Sequence, residues 1–597
     1  MSTTLSTPTI GRRGGVILSA LATTFATAAI AAPQAHAAVT SATLAATTAT
    51  LNLDGADDAV NVTVEGGLVR HGLTGGGLAS ALDWDSAAAG DQTVPANGTF
   101  TIVLNGGDGA DALTVTATNT EIAKAVLSGD GADDLLTGAR TADDLRGGAG
   151  NDRLVGFVGS DDVEGGDGND TLVWNNGDGS DVMDGDAGND GVEVNGAATA
   201  GDVFTVVPAG ARVDFDRTNL VPFSLDISTE RLEVNGLGGS DSATASGALA
   251  PLILISLSGG TGADTLTGAD GPDFIEGGED NDVLAGGGGD DRIVGDRGGD
   301  AMSGGDGDDT LVWNNGDGSD VMNGEGGRDT IEVNGAPTAG DAFTVAPAGA
   351  RIDFDRTNLV PFSLDIGTTE AMALNGLGGD DTVAVGEVGA FQVTAAGGSG
   401  NDTLNGAGGA ETLLGGSGND AITPGGGQDV AAGDEGNDTI AVRDGASDFV
   451  RCGDGADSVS ADTAKLDVGM AGCEIVKRRK PGVAISGLSL KVRNGIAAIR
   501  LTCPAGAQSS CKGTLRLTTA VAVRTGSRRA VLQLGRARYD VRAGRPAVVR
   551  VRLIGRAARL ANRRTGKLAV RAIARASAPG DTSSRRVTLD FGRAKRR

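Results

Sequence analysis

Gly147-Gly148-Ala149-Gly150-Asn151-Asp152-Arg153-Leu154-Val155 is one copy of a nine-residue pattern that recurs along the chain. In the longest run Asp264, Asp273, Asp282, Asp291, Asp300 and Asp309 keep a spacing of nine, each followed two positions later by an apolar residue: Leu266, Ile275, Leu284, Ile293, Met302 and Leu311. Paired glycines let the backbone enter positive φ in a tight turn and leave carbonyl oxygens uncovered. The apolar residue, flanked by exposed positions, marks a strand of about three residues that points one side chain inward. One repeat is thus a turn plus a short strand. A unit this small cannot bury its apolar face alone, so copies must stack, aligning the turns in columns and setting successive carboxylates close together.

Stacked carboxylates repel unless a cation sits between them. Ca²⁺ suits such a column because it accepts six to eight oxygens in flexible geometry, backbone carbonyls included. The pattern closely resembles the RTX, or hemolysin-type, calcium-binding repeat Gly-Gly-x-Gly-x-Asp-x-(apolar)-x. The resemblance implies an all-β fold, a parallel β-roll or β-helix solenoid with calcium held between its turns. It assigns metal ligands at Asp143, Asp152, Asp161, Asp170, Asp181 and Asp190 in a first run. A second run supplies Asp264, Asp273, Asp282, Asp291, Asp300, Asp309, Asp320 and Asp329, and a third Asp402, Asp420, Asp429, Asp438 and Asp457. Glu411 stands where the pattern has Asp, and the loop before Asp143 lacks its glycine pair, which weakens both positions. Gly106-Gly107-Asp108-Gly109-Ala110-Asp111, a single copy, reads as an isolated turn without a metal.

Glycine supplies 100 of 597 residues and aromatics only 3%, which leaves no ordinary aromatic-rich core. Residues 1–37 read as an export signal: Arg12-Arg13, an apolar run from Val16 to Ile30, and the cleavage site Ala35-His36-Ala37. Gly14-Gly15 fits the twin-arginine signal poorly, so the ordinary secretory route is favoured. No later stretch reaches the roughly 18 apolar residues of a spanning helix. The mature protein is expected to be soluble and secreted, with attachment to the cell surface left open. Its divisions are a degenerate β-repeat region at 38–125, roll units at 126–247 and 248–390, each with a β-insert, a third roll unit with a cap at 391–476, and a basic β-sandwich-like domain at 477–597.

The two middle units are a duplication. Thr171 to Met183 recurs unchanged from Thr310 to Met322, and in both copies the spacing stretches to eleven, from Asp170 to Asp181 and from Asp309 to Asp320. The Trp-Asn-Asn insertion therefore bulges from the same coil. Exposed, Trp174 and Trp313 would offer a surface for a sugar ring; the plainer reading is that each shields the end of an apolar column. Arg212 to Ile227, repeated from Arg351 to Ile366, reads as longer strands or a small β-insert. Asp214, Asp216 and Arg217 within it read as a cross-strand charge ladder, because no nucleophile or tunable base lies beside them. Each copy closes with Asn-Gly-Leu-Gly-Gly, at Asn235 and Asn375.

Four cysteines allow three pairings; Cys452 with Cys473 and Cys503 with Cys511 are preferred for an exported chain. From residue 477 onward 31 Lys and Arg face 3 Asp and Glu, a net charge of +28 that leaves −57 for residues 1–476. Such a tail suits acidic cell-envelope polymers, and equally a role in balancing the acidic roll or keeping the tail soluble. It does not suit specific nucleic-acid reading, since only Tyr539 and Phe591 are present to stack on bases. Catalysis finds no support: apart from His36 the sole histidine is His71, read as a surface residue, and no nucleophile-elbow or zinc-protease motif occurs. The sequence thus describes a non-enzymatic calcium-binding roll. A carbohydrate-active β-helix enzyme acting on acidic polysaccharide is the alternative, and a surface adhesin a third class.

Overall fold

The computed structural model describes residues 40–590 apart from 46, 66–67, 71–90, 94–97, 118–119, 463–465, 479–483, 487–488, 504–509, 521–522, 526–527, 543–544, 555–566 and 577–581. The segment expected to be an export signal, residues 1–37, and His71 lie outside the described residues, which contain strands and turns and no helix. Two compact units divide the chain: residues up to Leu172 with Asp186–Gly188, and Val173–Gly185 with Asn189 onward.

In the first unit short parallel strands line two sheets. Lys124–Gly131, Asp144–Ala149 and Asp162–Gly168 follow one another in the first, while Ala112–Thr116, Leu135–Thr137 and Arg153–Val155 do so in the second. The register pairs Leu145 with Val163 and Leu136 with Leu154, residues eighteen apart. Nine residues are therefore half a coil, and consecutive repeats fall in opposite sheets. This changes one expectation: Asp residues adjacent in the series stand on opposite edges, and the carboxylates that stack are eighteen apart. A strand of three to eight residues with a turn at each end spans only one side of the flattened coil.

The second unit repeats the design. Thr265–Thr267, Val283–Gly288, Ala301–Asp306 and Val321–Gly326 face Phe274–Glu279, Arg292–Arg297, Thr310–Asn314 and Thr330–Asn334. The single apolar residue of each repeat points inward, and Leu266, Ile275, Leu284, Ile293, Met302 and Leu311 are all buried. Each full burial contributes about 1.5–3 kcal/mol, so the core is a narrow column fed by one side chain per half coil.

The duplicated insert is a three-stranded antiparallel meander, Val203–Ala209, Arg212–Arg217 and Phe223–Ser228 in the first copy. Its outer strands pair in parallel with the neighbouring coils, Phe223–Ser228 with Val182–Gly188 and Val203–Ala209 with Ser242–Ala245, so it widens the sheet without ending it. Trp174 and Trp313 are fully buried and stack on Phe223 and Phe362, ring centres 3.7 Å apart. No exposed ring is left there for a sugar. The expected Asp214–Asp216–Arg217 ladder is also different: Arg212 pairs with Asp184 and Asp226, whereas Arg217 turns into the interior.

Cys452 bonds Cys473 and Cys503 bonds Cys511, the preferred pairing. The C-terminal residues form a small β domain, in which Ser510–Thr519 lies between Gln533–Arg542 and Lys567–Ala576, and Ile496–Thr502 pairs with Pro546–Arg552. A bridge from Gly535 to Leu553 curls the sheet around Ile499, Leu515, Leu517, Val551 and Val570.

Candidate metal centre

Every repeat Asp sits where a turn enters a strand, and its side chain folds back under the turn. Below the head of each ladder, Oδ1 accepts a hydrogen bond from the backbone N–H of the acidic residue one coil earlier. Asp264 donates to Asp282 (2.8 Å), Asp282 to Asp300 (2.9 Å) and Asp300 to Asp320 (2.9 Å). On the opposite edge Asp273 donates to Asp291, Asp291 to Asp309 and Asp309 to Asp329. Further along, Asp402, Asp420, Asp438 and Asp457 form a ladder of the same kind. In the first unit Asp152 and Asp170 lie on one edge, and Asp143 and Asp161 on the other.

One oxygen of each carboxylate is thus consumed by the ladder. The second oxygens of Asp152, Asp264, Asp282, Asp291, Asp300, Asp309, Asp320, Asp329, Asp402, Asp420, Asp429, Asp438 and Asp457 are buried and accept no hydrogen bond. A buried carboxylate oxygen without a donor carries a heavy desolvation cost unless a cation meets it. Asp161, Asp170, Asp181 and Asp190 are buried too. The repeat's first glycine explains itself here: a Cβ on Gly286 would stand 2.1 Å from Asp291 Oδ2 and 2.5 Å from the carbonyl oxygen of Gly304 one coil on. Two hard oxygens converge on that point, and only hydrogen leaves room for them.

Electrostatics point the same way. Burial first, and then the stacked charges of Asp320, Asp282 and Asp317, push the Asp300 carboxyl up to about 8, although the Asp282 N–H opposes the rise. Burial with neighbouring carboxylates likewise raises Asp134 to about 8 and Asp291 and Asp381 to about 7.

The ladders have built ends. At three of their heads both carboxylate oxygens are satisfied: Asp143 by Ala125, Ala139 and Thr141, Asp202 by Arg217 and Ala197, and Asp341 by Arg356 and Ala336. Asp273, at the head of its edge, accepts from Ala269 through Oδ2 and has no buried unpartnered oxygen. At their tails a Glu replaces Asp, with Glu230, Glu370 and Glu474 accepting from the N–H of Asp190, Asp329 and Asp457.

Several members escape the repeat pattern. Asp111 is no isolated turn: it accepts from Asp58, donates to Asp134 and keeps a buried, unpartnered Oδ2. Glu411, the suspected weak position, is buried and stacks beneath Asp429. Asp241 and Asp381 join through the Asn-Gly-Leu-Gly-Gly segments, where Leu237 and Leu377 adopt φ of 70° in place of a glycine. The legible signal there was a Gly five residues before an Asp that precedes an alternating strand.

Parallel coils, oxygen-lined turns and a row of unpartnered buried carboxylates define a calcium-binding β-roll. The family model of the RTX calcium-binding nonapeptide repeat (4 copies) matches residues 137–172, 258–293, 276–311, 315–335 and 394–422, so these segments carry RTX calcium-binding repeats. No curated protein matches the chain.

Proposed function

We propose that the chain is an exported protein whose roll folds as it loads calcium, serving a structural or cell-envelope role and not an enzymatic one. The observation that carries this reading is the row of buried, unpartnered Oδ2 atoms. Asp152, the Asp264–Asp329 ladders except Asp273, and Asp402, Asp420, Asp429, Asp438 and Asp457 would hold the ions, joined by Asp111, Asp134, Asp241, Asp381 and Asp448. Bound calcium would supply the positive charge that lets these carboxylates stay ionised while buried. The chain's own part is geometric. Glycines clear the space, ladder hydrogen bonds fix one oxygen of each carboxylate, and the inward apolar residue anchors the turn.

An acidic roll and a basic tail in one chain suit attachment: the tail holds an acidic envelope polymer, and the roll is a calcium-stiffened spacer. Burial of Trp174 and Trp313 removes the exposed rings on which a sugar could have stacked. Fractionation of the native host tests the envelope role, with the protein expected in the envelope fraction and released by high salt, since exposed charge contacts weaken beyond about 8 Å at physiological ionic strength. Recovery only in the cytoplasm would end the reading.

A further inference from the structure

Near the C-terminal end of the roll one turn departs from the repeat. Asp438 and Asp448 are ten residues apart, and the turn Arg443-Asp444-Gly445-Ala446-Ser447-Asp448 places an Asp where the nonapeptide has its second glycine. Asp444 is exposed but held: its Oδ1 accepts from the Ala446 N–H (2.7 Å), and its Oδ2 from the N–H of Gly427 in the preceding coil (3.3 Å). That crossing sets it over the ladder pair Asp429 and Asp448. A carboxylate oxygen from each of the three lies within 4.8 Å of the others.

We propose that Asp429, Asp444 and Asp448 form a calcium site distinct from the two-carboxylate steps of the ladders, and that it is the tightest in the roll. Independently of the cluster's charge, Asp429 and Asp448 are 2% and 1% exposed, and the Oδ2 of each is buried with no hydrogen-bond donor. No Lys or Arg forms an ion pair with any of the three among the described residues. The adjacent Arg443 spends its guanidinium on the carbonyls of Ala461 and Lys477. A third carboxylate raises the formal charge around the ion from −2 to −3, and ligand charge count is a principal determinant of calcium affinity in oxygen sites. The strand that follows, Phe449–Asp454, carries Cys452 of the disulfide, so this turn is also tethered covalently. A pre-positioned turn loses less freedom on binding.

The proposal rests on calcium loading of the roll, and the test separates the two. Calcium binding to the full mature chain is followed by chelator-competition calorimetry for the wild type, for Asp444→Asn, and for Asp290→Asn, an exposed acid remote from the site. Asn removes the charge of Asp444 and keeps one of its two acceptors, enough for the 2.7 Å bond from Ala446, while giving up the longer bond from Gly427; circular dichroism in saturating calcium checks that each variant folds. One tight class of about one ion per chain is expected in the wild type and in Asp290→Asn, weakened about tenfold or more in Asp444→Asn, with the remaining ions unaffected. An Asp444→Asn isotherm that matches the wild type overturns the site while leaving the roll's calcium binding standing. A wild type that takes up no calcium overturns both.

Discussion

The Arg217 guanidinium donates to Asp202 Oδ1 across 3.1 Å, with the two side chains 1% and 0% exposed. It also donates to Asn176 and to the Val221 carbonyl, and lies 5.3 Å and 5.1 Å from the ring centres of Trp174 and Phe223. Arg356 repeats every element of this arrangement with Asp341, Asn315, Val360, Trp313 and Phe362. The insert thus carries a covalently attached cation to the head of an acid ladder, where Asp202 and Asp341 need no metal.

Removing that cation should strand a buried charge. Arg217→Met is expected to lower stability in saturating calcium by about 3–5 kcal/mol, and Asp202→Asn added to it should restore part of the loss. Denaturant unfolding of the single and double variants measures this. Additive losses would mean that the pair does not act as a unit.

Gly286→Ala drives a methyl group into Asp291 Oδ2 and the Gly304 carbonyl, whereas a Cβ at Gly288 meets nothing closer than 3.7 Å. The first change should raise the calcium concentration needed for folding severalfold. The second should stay within about 0.5 kcal/mol of the wild type. Equal midpoints for the two would show that the glycine cradle is not where calcium acts.

Asp111→Ala is expected to disturb calcium-dependent folding of the first unit, because Asp111 links Asp58 to Asp134. Limited proteolysis of residues 40–172 across a calcium titration reads this locally. An unchanged cleavage pattern would return Asp111 to the isolated turn that its sequence suggests.

How far the fold was legible follows from such residues. The period of nine named the strands and their inward residues, since one apolar side chain per repeat leaves little choice. It could not say that nine is half a coil, because alternation between two sheets leaves no mark on a uniform repeat. The ladder members Asp58, Asp111, Asp241 and Asp381 were hidden because their coils carry long or irregular connections, which break the spacing but not the stacking. Arg217 is hidden for a related reason: a charged residue in an alternating strand reads as exposed, whereas the insert folds it inward onto Asp202.

Acid should favour the metal-free fold. Burial, followed by the neighbouring charges, raises Asp300 to about 8 and Asp291 to about 7 from an ordinary 3.8. Between those values the folded chain holds protons that the unfolded chain has released, so this stability is present at low pH and lost as pH rises through about 7 to 8. In excess chelator, β-structure by circular dichroism should be greater at pH 5 than at pH 8. In calcium the dependence should weaken, because the ion replaces the protons. More β-structure at pH 8 in chelator would contradict raised carboxyl pKa values at Asp291 and Asp300.

Calcium titration of residues 38–597 followed by far-ultraviolet circular dichroism tests the central claim most directly. Stacked like charges and the backbone entropy of the glycine-rich turns both oppose folding without a cation. The account predicts little β-signal in chelator at pH 7.5 and a cooperative rise as calcium is added. A full β-signal in chelator, unchanged by calcium, would contradict it.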